Sequence, residues 1–409
     1  MAIIQVFTES ANMTRTNDAE GVAAYISEKS LLAESVYLGP KFNDQRIEKE
    51  VTDLLLVHRD QALVVQMKCQ NNPDNRLGNK LSRWVDRSAK SGYNQLRGTL
   101  RTLSERDYWC IHPTLGRVDF TKNQLAPIHG IVVVEHRVRG LSLSKTLPVD
   151  FRDVPISYFT LSDFLIHISE LRTFPDFCEF LHARHGLDNF DLHITGREEE
   201  LLGHYMLNNG NFPVGLSQEQ RLSHLREERL QFDRFLLEKL LGDAECEEVE
   251  LAARALRKRA AGYPPRHRDD KNYRVMQLAL MDLSYAERRL VGKKIKQAIA
   301  ELSAKEPLAA QMCAHAVISN ADLTVVISAT RGVNPKEAFC GCLHFIKEVY
   351  GYTEPTKNIL VINLNLPNSS PKYWFYFITP GGAHAEQLVK LTRESIIPEW
   401  ITFTPEAKF

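Results

Sequence analysis

Residues 50–69 read EVTDLLLVHRDQALVVQMKC. Within this stretch, residues 51–58 and 62–69 are two apolar runs rich in β-branched side chains, separated by Arg59-Asp60-Gln61, which is the length of a hairpin connection. They predict two adjacent, largely buried strands. Side chains alternate along a strand, so Gln66 and Lys68 share one face while Val65 and Met67 point to the other. A lysine is rarely buried without a partner, and Asp53 lies across the hairpin as a candidate. An acid, an amide oxygen and a lysine thus converge at one end of the strand pair.

Working outward, a helix is expected after Thr16-Asn17-Asp18, with Val22, Tyr25, Ile26 and Leu32 at helical spacing and Gly39-Pro40 as a later breaker. A further strand can begin at Ser35 to Tyr37. Downstream, residues 71–75 form a polar loop, residues 81–103 read as a helix with weak points at Gly92 and Gly98, and residues 128–136 (IHGIVVVEH) read as another buried strand. The order helix, strand, strand, strand, helix, strand makes residues 1–145 a small α/β unit. Residues 146–309 read as helical, with caps at Ser162-Asp163 and Thr173 to Asp176, long helices over 217–241 and 284–302, and a linker or kink at Tyr263-Pro264-Pro265. Residues 310–409 return to α/β, with strands at 323–327, 359–364 and 374–378 and helices over 335–350 and from Ala383. The expected class is α/β in three parts.

At 409 residues the chain is long enough for a sizeable core, and its 44% hydrophobic and 25% charged content argues against wholesale disorder or a fibrous repeat. No apolar run approaches the ~20 residues that a bilayer span needs, so no membrane partner is expected. The N-terminus lacks a basic segment followed by a long apolar one, and seven scattered cysteines read as reduced thiols; both point to the cytoplasm. With 51 basic and 51 acidic residues, no global field recruits nucleic acid, so local patches matter. Nine Lys or Arg between Lys68 and Arg106 face only Asp74, Asp86 and Glu105. A second basic run, Arg254 to Arg274, follows an acidic stretch and reads as a salt-bridged helical face.

The trio at the hairpin suits phosphodiester hydrolysis. A carboxylate and a second oxygen can hold Mg²⁺, and a lysine can supply positive charge where negative charge develops in the transition state. Asp53, then Gln66-Met67-Lys68 at the end of an adjacent strand, resembles the PD-(D/E)XK nuclease signature. Gln-x-Lys looks like the variant of Mrr-type restriction endonucleases, and Glu50-x-x-Asp53 is similar to NERD-type domains. The glutamine departs from the strict motif, since a neutral amide oxygen binds Mg²⁺ more weakly than a carboxylate.

The resemblance, which covers about residues 15–140, implies a restriction-endonuclease-like α/β/α domain that hydrolyses DNA with Mg²⁺, or alternatively Mn²⁺. It makes Asp53 the principal metal ligand, Gln66 a second ligand and Lys68 the electrostatic stabiliser. It also implies a glutamate on the first helix, for which Glu20 is preferred over Glu28 and Glu34, and a following helix that brings Gln95 to a phosphate or water. On that helix Arg83, Arg87, Lys90, Arg97 and Arg101 supply a phosphate-contact surface. A prokaryotic restriction or antiphage setting, a homodimer and a separate defence partner follow from the same resemblance. The alternative is a catalytically inactive nuclease fold acting as a nucleic-acid-binding module or scaffold.

Other clusters read as structural. Cys178, His182 and His185 lie on one helical face but lack a fourth zinc ligand. Cys340 and Cys342 diverge on their helix, and Gly381-Gly382 fits a plain turn. The sequence holds no GxxxxGK(S/T), HExxH, GxSxG or CxxC motif.

Overall fold

The computed structural model describes residues 21–22, 26, 35–44, 47–68, 79–113, 115–135, 141–142, 147–187, 194–195, 198–208, 210–212, 243–256, 271–304, 311–317, 323–333, 335–350, 358–366, 372–378 and 401–403. The chain forms two compact units, residues 1–237 and 238–409, each of mixed α/β structure. The expected helices over 217–241 and from Ala383, the Tyr263-Pro264-Pro265 linker or kink, Gly381-Gly382 and the glutamates Glu20, Glu28 and Glu34 lie outside the described residues.

In the first unit, β1 (Val36–Asp44), β2 (Ile47–Glu50), β3 (Leu54–His58) and β4 (Gln61–Lys68) form an antiparallel series. Arg59 closes the β3–β4 turn at φ 57°, a left-handed backbone that makes the connection tighter than a loop. Helix α1 (Asn79–Glu105) then crosses over, and β7 (Ala126–Val134) pairs parallel to β4. Between them, β5 (Tyr108–His112) and β6 (Gly116–Phe120) make a hairpin that joins the far side of β1. Two short strands, β8 (Leu141–Ser142) and β11 (Ile194–Thr195), pair apart from this sheet, and β9 (Asp150–Phe151) and β10 (Val154–Phe159) complete it. The order is β6-β5-β1-β3-β4-β7-β10-β9, with β2 on β1 alone.

Strand alternation sorts the core into two faces. Leu54, Leu56, Leu63, Val65, Ile131 and Val133 pack with helical Val22 and Ile26 and with α2 (Leu161–Leu171), α3 (Phe174–His185) and α4 (Glu198–Leu207). Leu55, Val57, Val64, Val132 and Val134 pack against Val85, Ala89, Leu96 and Leu100 of α1 on the other. Each cap is local: Thr160 and Thr173 accept the backbone N–H groups of Asp163 and Asp176, opening α2 and α3.

Two expectations are corrected. The change of pattern after residue 145 is no boundary between the compact units, because β10 pairs parallel to β7 and α2, α3 and α4 cover the same sheet. Helix α1 also runs unbroken through Gly92 and Gly98. Gly92 has a packing reason: a Cβ there would lie 2.5 Å from Val132 Cγ1 and 3.6 Å from Lys68 Cγ, so only glycine lets the helix sit this close to β4 and β7.

The second unit holds helical residues 243–256, α5 (Lys271–Met281), α6 (Tyr285–Ser303) and α7 (Pro335–Tyr350). Its sheet orders β15 (Lys372–Ile378), β14 (Asn358–Asn365), β13 (Leu323–Arg331), β12 (Gln311–Val317) and β16 (Ile401–Phe403) in that sequence across the sheet. Glu245 bridges Arg289 at 2.7 Å and Lys293 at 3.2 Å, a salt-bridged helical surface. Among the described residues no helix is long and apolar enough to cross a membrane.

Candidate active site

The hairpin register sets the site. Leu54 pairs with Val65, which puts Asp53, one residue before β3, level with Gln66 on β4. The Met67 backbone N–H donates to Asp53 Oδ2 at 2.7 Å, and the Gln66 amide nitrogen donates to the same oxygen. Thr52 clamps the approach by donating to the Val65 carbonyl at 2.8 Å, and Gly39 N–H donates to the Asp53 carbonyl at 3.2 Å. Lys68 ends β4 half-buried, its stem under Gly92, and its ammonium donates to Gln95 Oε1 of α1.

One turn further along α1, Thr99 donates to the Val51 carbonyl at 2.5 Å, tying the helix to the segment that carries Asp53. These groups line a cleft of about 390 Å³, whose wall also includes Phe42, Lys49, Glu50, Gly98 and Thr102. Asp53 pays for this position electrostatically. Burial raises its carboxyl above the usual carboxylate value, against the lowering effects of the Met67 N–H, the Lys68 charge and the Gln66 amide.

Asp53, Gln66, Lys68 and Gln95, expected from the sequence, therefore meet at one cleft. Two details differ from expectation. Gln66 faces Asp53 with its amide nitrogen, as a donor, where the sequence reading has its oxygen as a metal ligand. Lys68 has Gln95 as a hydrogen-bond partner, so the lysine is held from the helix as well as from the hairpin.

Arg83, Arg87, Lys90, Arg97 and Arg101 do not line the cleft. They occupy a strip about 120° round α1 from Gln95, Thr99 and Thr102 at 100° per residue. There Arg101 lies over the Phe151 ring of β9 at 5.8 Å. Sequence reasoning passed over Thr99 and Lys49, and marked Glu50 only as part of the Glu50-x-x-Asp53 pattern, without a place in the cleft. Thr99 carried a signal, since it lies four residues after Gln95 on the same helical face. Glu50 and Lys49 reach the cleft because β2 folds back on β1, and nothing in their local sequence marked that hairpin.

Among the described residues no three His, Cys, Asp or Glu side chains group into a metal site. Asp53 nevertheless suits a divalent cation, because a carboxyl whose ionised form burial disfavours gains most from a nearby positive charge. Cys178 is a poor ligand, its thiol pushed up to about 12 by burial.

The chain matches no family model, no curated protein and no solved structure.

Proposed function

We propose that the first unit is a restriction-endonuclease-like domain that hydrolyses DNA phosphodiesters with Mg²⁺ or Mn²⁺. The observation that carries this reading is the meeting of Asp53, Gln66, Lys68 and Gln95 in one cleft at the end of a β3–β4 hairpin. Strand, hairpin and following helix occur in the order the PD-(D/E)XK resemblance implies, and the sheet has helices on both faces. Asp53 would hold the cation, which supplies Lewis acidity to the scissile phosphate and a more acidic bound water. Lys68 stabilises the charge that grows on the phosphate oxygens, while Gln95 fixes its ammonium and Thr99 and Thr52 hold the backbone beside Asp53. The basic strip of α1 takes a neighbouring stretch of backbone. A prokaryotic restriction or antiphage role in the cytoplasm, with a second copy or a separate partner, is the setting the resemblance implies.

One observation favours a second reading. The neutral Gln66, already bonded to Asp53, is also what a catalytically inactive nucleic-acid-binding scaffold would retain. The two readings separate when supercoiled plasmid, linear duplex and single strands are incubated with Mg²⁺, Mn²⁺ or EDTA. Metal-dependent cutting, lost in Lys68→Ala and Asp53→Ala, is the expected result. DNA binding without cutting under any metal would leave the scaffold reading, and neither activity would remove both.

A further inference from the structure

The cleft has two ends. Asp53, Lys68 and Gln95, the residues of the proposed chemistry, mark one of them. Away from these the wall runs along Gly98 and Thr102 of α1 and along Lys49 and Phe42, which pair across the β2–β1 ladder. The Thr99 bond to the Val51 carbonyl holds the helix beside the strand pair between the two ends. At about 1.5 Å per residue, Thr102 lies about 10 Å along the helix from Gln95. That leaves room for a nucleotide adjoining the one whose phosphate lies at Lys68.

The second end is built unlike the first. Phe42 is half-buried, and the Arg106 guanidinium lies 4.7 Å from its ring centroid without itself lining the cleft. Asp44 bridges both Arg106, at 3.3 Å, and Lys49, at 2.5 Å, so the ring and the cation beside it are held from outside the cleft. On the helix side Gly98 is exposed, and a Cβ there meets nothing within 4 Å, so the space over it is open. An aromatic ring beside open space suits a flat ligand with a π-face, and of the parts of DNA only the base has one. We infer that this end of the cleft is a base subsite, in which an unpaired nucleobase next to the scissile phosphate enters the space over Gly98 and stacks on Phe42, while Lys49 takes an adjoining phosphate. The substrate class is then DNA with unpaired nucleotides, in preference to a fully paired duplex. A paired base has its faces covered by its neighbours and must leave the stack first, a cost that a single strand avoids. Stacking on an aromatic side chain is worth roughly 5- to 150-fold in affinity per base. The inference rests on the nuclease reading for the phosphate at Lys68 and adds the form of the substrate.

The test uses the full chain and three short DNAs of one sequence: a single strand, its paired duplex, and a strand whose bases are replaced by abasic sugars. Binding is followed by fluorescence anisotropy in EDTA at physiological ionic strength, and cutting by gel with Mg²⁺ or Mn²⁺. The natural chain should bind the single strand at least tenfold more tightly than the duplex or the abasic strand, and cut it faster than the duplex by a similar factor. Gly98→Leu fills the open space from an exposed helical position and should bind the normal and abasic strands alike. Phe42→Leu keeps apolar volume without a ring and should do the same.

A duplex bound and cut as well as the single strand, or an abasic strand bound as tightly as the normal one, would overturn the base subsite. Cutting lost in Lys68→Ala would still leave the nuclease reading standing. A single-strand preference kept in folded Gly98→Leu or Phe42→Leu would also overturn the subsite. If neither metal supports cutting while the preference persists in EDTA and disappears in Gly98→Leu, the nuclease reading falls and the base subsite stands. Should one variant fail to fold, as judged by its melting curve, the other variant and the abasic strand on the natural chain decide.

Discussion

Burial lifts the Asp53 carboxyl above its ordinary value, so the folded chain binds this proton more tightly than the unfolded chain does. The sign follows directly. Folding is favoured where the carboxyl is protonated, and this contribution is lost as pH rises through the folded pKa, so at neutral pH the charged Asp53 destabilises the first unit. Asp53→Asn keeps an oxygen to accept from the Met67 N–H and the Gln66 amide but carries no charge. It should therefore melt at a higher temperature than the natural chain at pH 7, with the difference shrinking as pH is lowered through the carboxylate range. Activity moves the other way: Asp53→Asn should abolish metal-dependent cutting. The natural chain's rate should climb with pH along a one-proton limb lying above the usual carboxylate value, since proton and cation compete for one group. A thermal melt series and a pH–rate profile check both halves, and a variant that neither stabilises nor inactivates would remove Asp53 from the role given to it.

Helix α1 sets the distance between Lys68 and Gln95, and its two glycines do opposite things. At Gly92 a methyl group would lie 2.5 Å from Val132 Cγ1, so Gly92→Ala should destabilise by about 1–3 kcal/mol through overpacking and shift the Lys68 stem, lowering cutting beyond what the stability loss explains. At Gly98 a Cβ meets nothing within 4 Å, so Gly98→Ala should stabilise by roughly 0.5–1 kcal/mol through helix propensity. Urea denaturation of the two variants beside a plasmid assay separates packing from chemistry. The same helix shows what a sequence discloses. Its apolar period gave residues 81–103 against the observed Asn79–Glu105, and the alternation of β4 placed Gln66 and Lys68 together. The glycines read as weak points because composition registers a missing side chain but not the strand packed against it. Strands β5 and β10 went unseen for a related reason: Tyr108–His112 is only five residues long, Val154–Phe159 contains Pro155, and each is joined to the sheet by a partner distant in sequence, β1 and β7. At the site, residue types that carry their own chemistry were legible, whereas Thr99, Lys49 and Glu50 acquire their place only through tertiary contacts.

At the scale of the molecule, the first unit is pinned by a buried polar network beneath its helices. Arg184 and Glu198, both fully buried, meet at 2.5 Å, and Arg184 also donates to Ser157 Oγ at 3.1 Å, which lies 2.9 Å from His129 Nε2. These contacts tie α3 and α4 to β10 and β7. Breaking such a pair leaves a buried charge without its counter-ion, so Glu198→Ala should cost about 3–5 kcal/mol. His129 and His167 add a pH dependence of their own. Burial, reinforced by the Arg184 charge, pushes each imidazole down to about 3, although the Asp163 carbonyl bonded to His167 pulls the other way. Between that value and the ordinary 6.5 the unfolded chain binds more protons than the folded one, so stability rises with pH through this interval and the penalty is gone above it. Acidification from pH 7 to pH 5 should therefore weaken the first unit well before general acid denaturation. Hydrogen exchange reads the units separately: amides of β7 and β10 should lose protection on acidification and in Glu198→Ala, while those of β13 and β14 report the second unit. Loss confined to β7 and β10 means that the first unit opens by itself, so that the cleft can be lost at low pH with the rest of the chain folded. Equal loss in both sheets would mean that the two units unfold as one, and the histidines would then govern the stability of the whole chain.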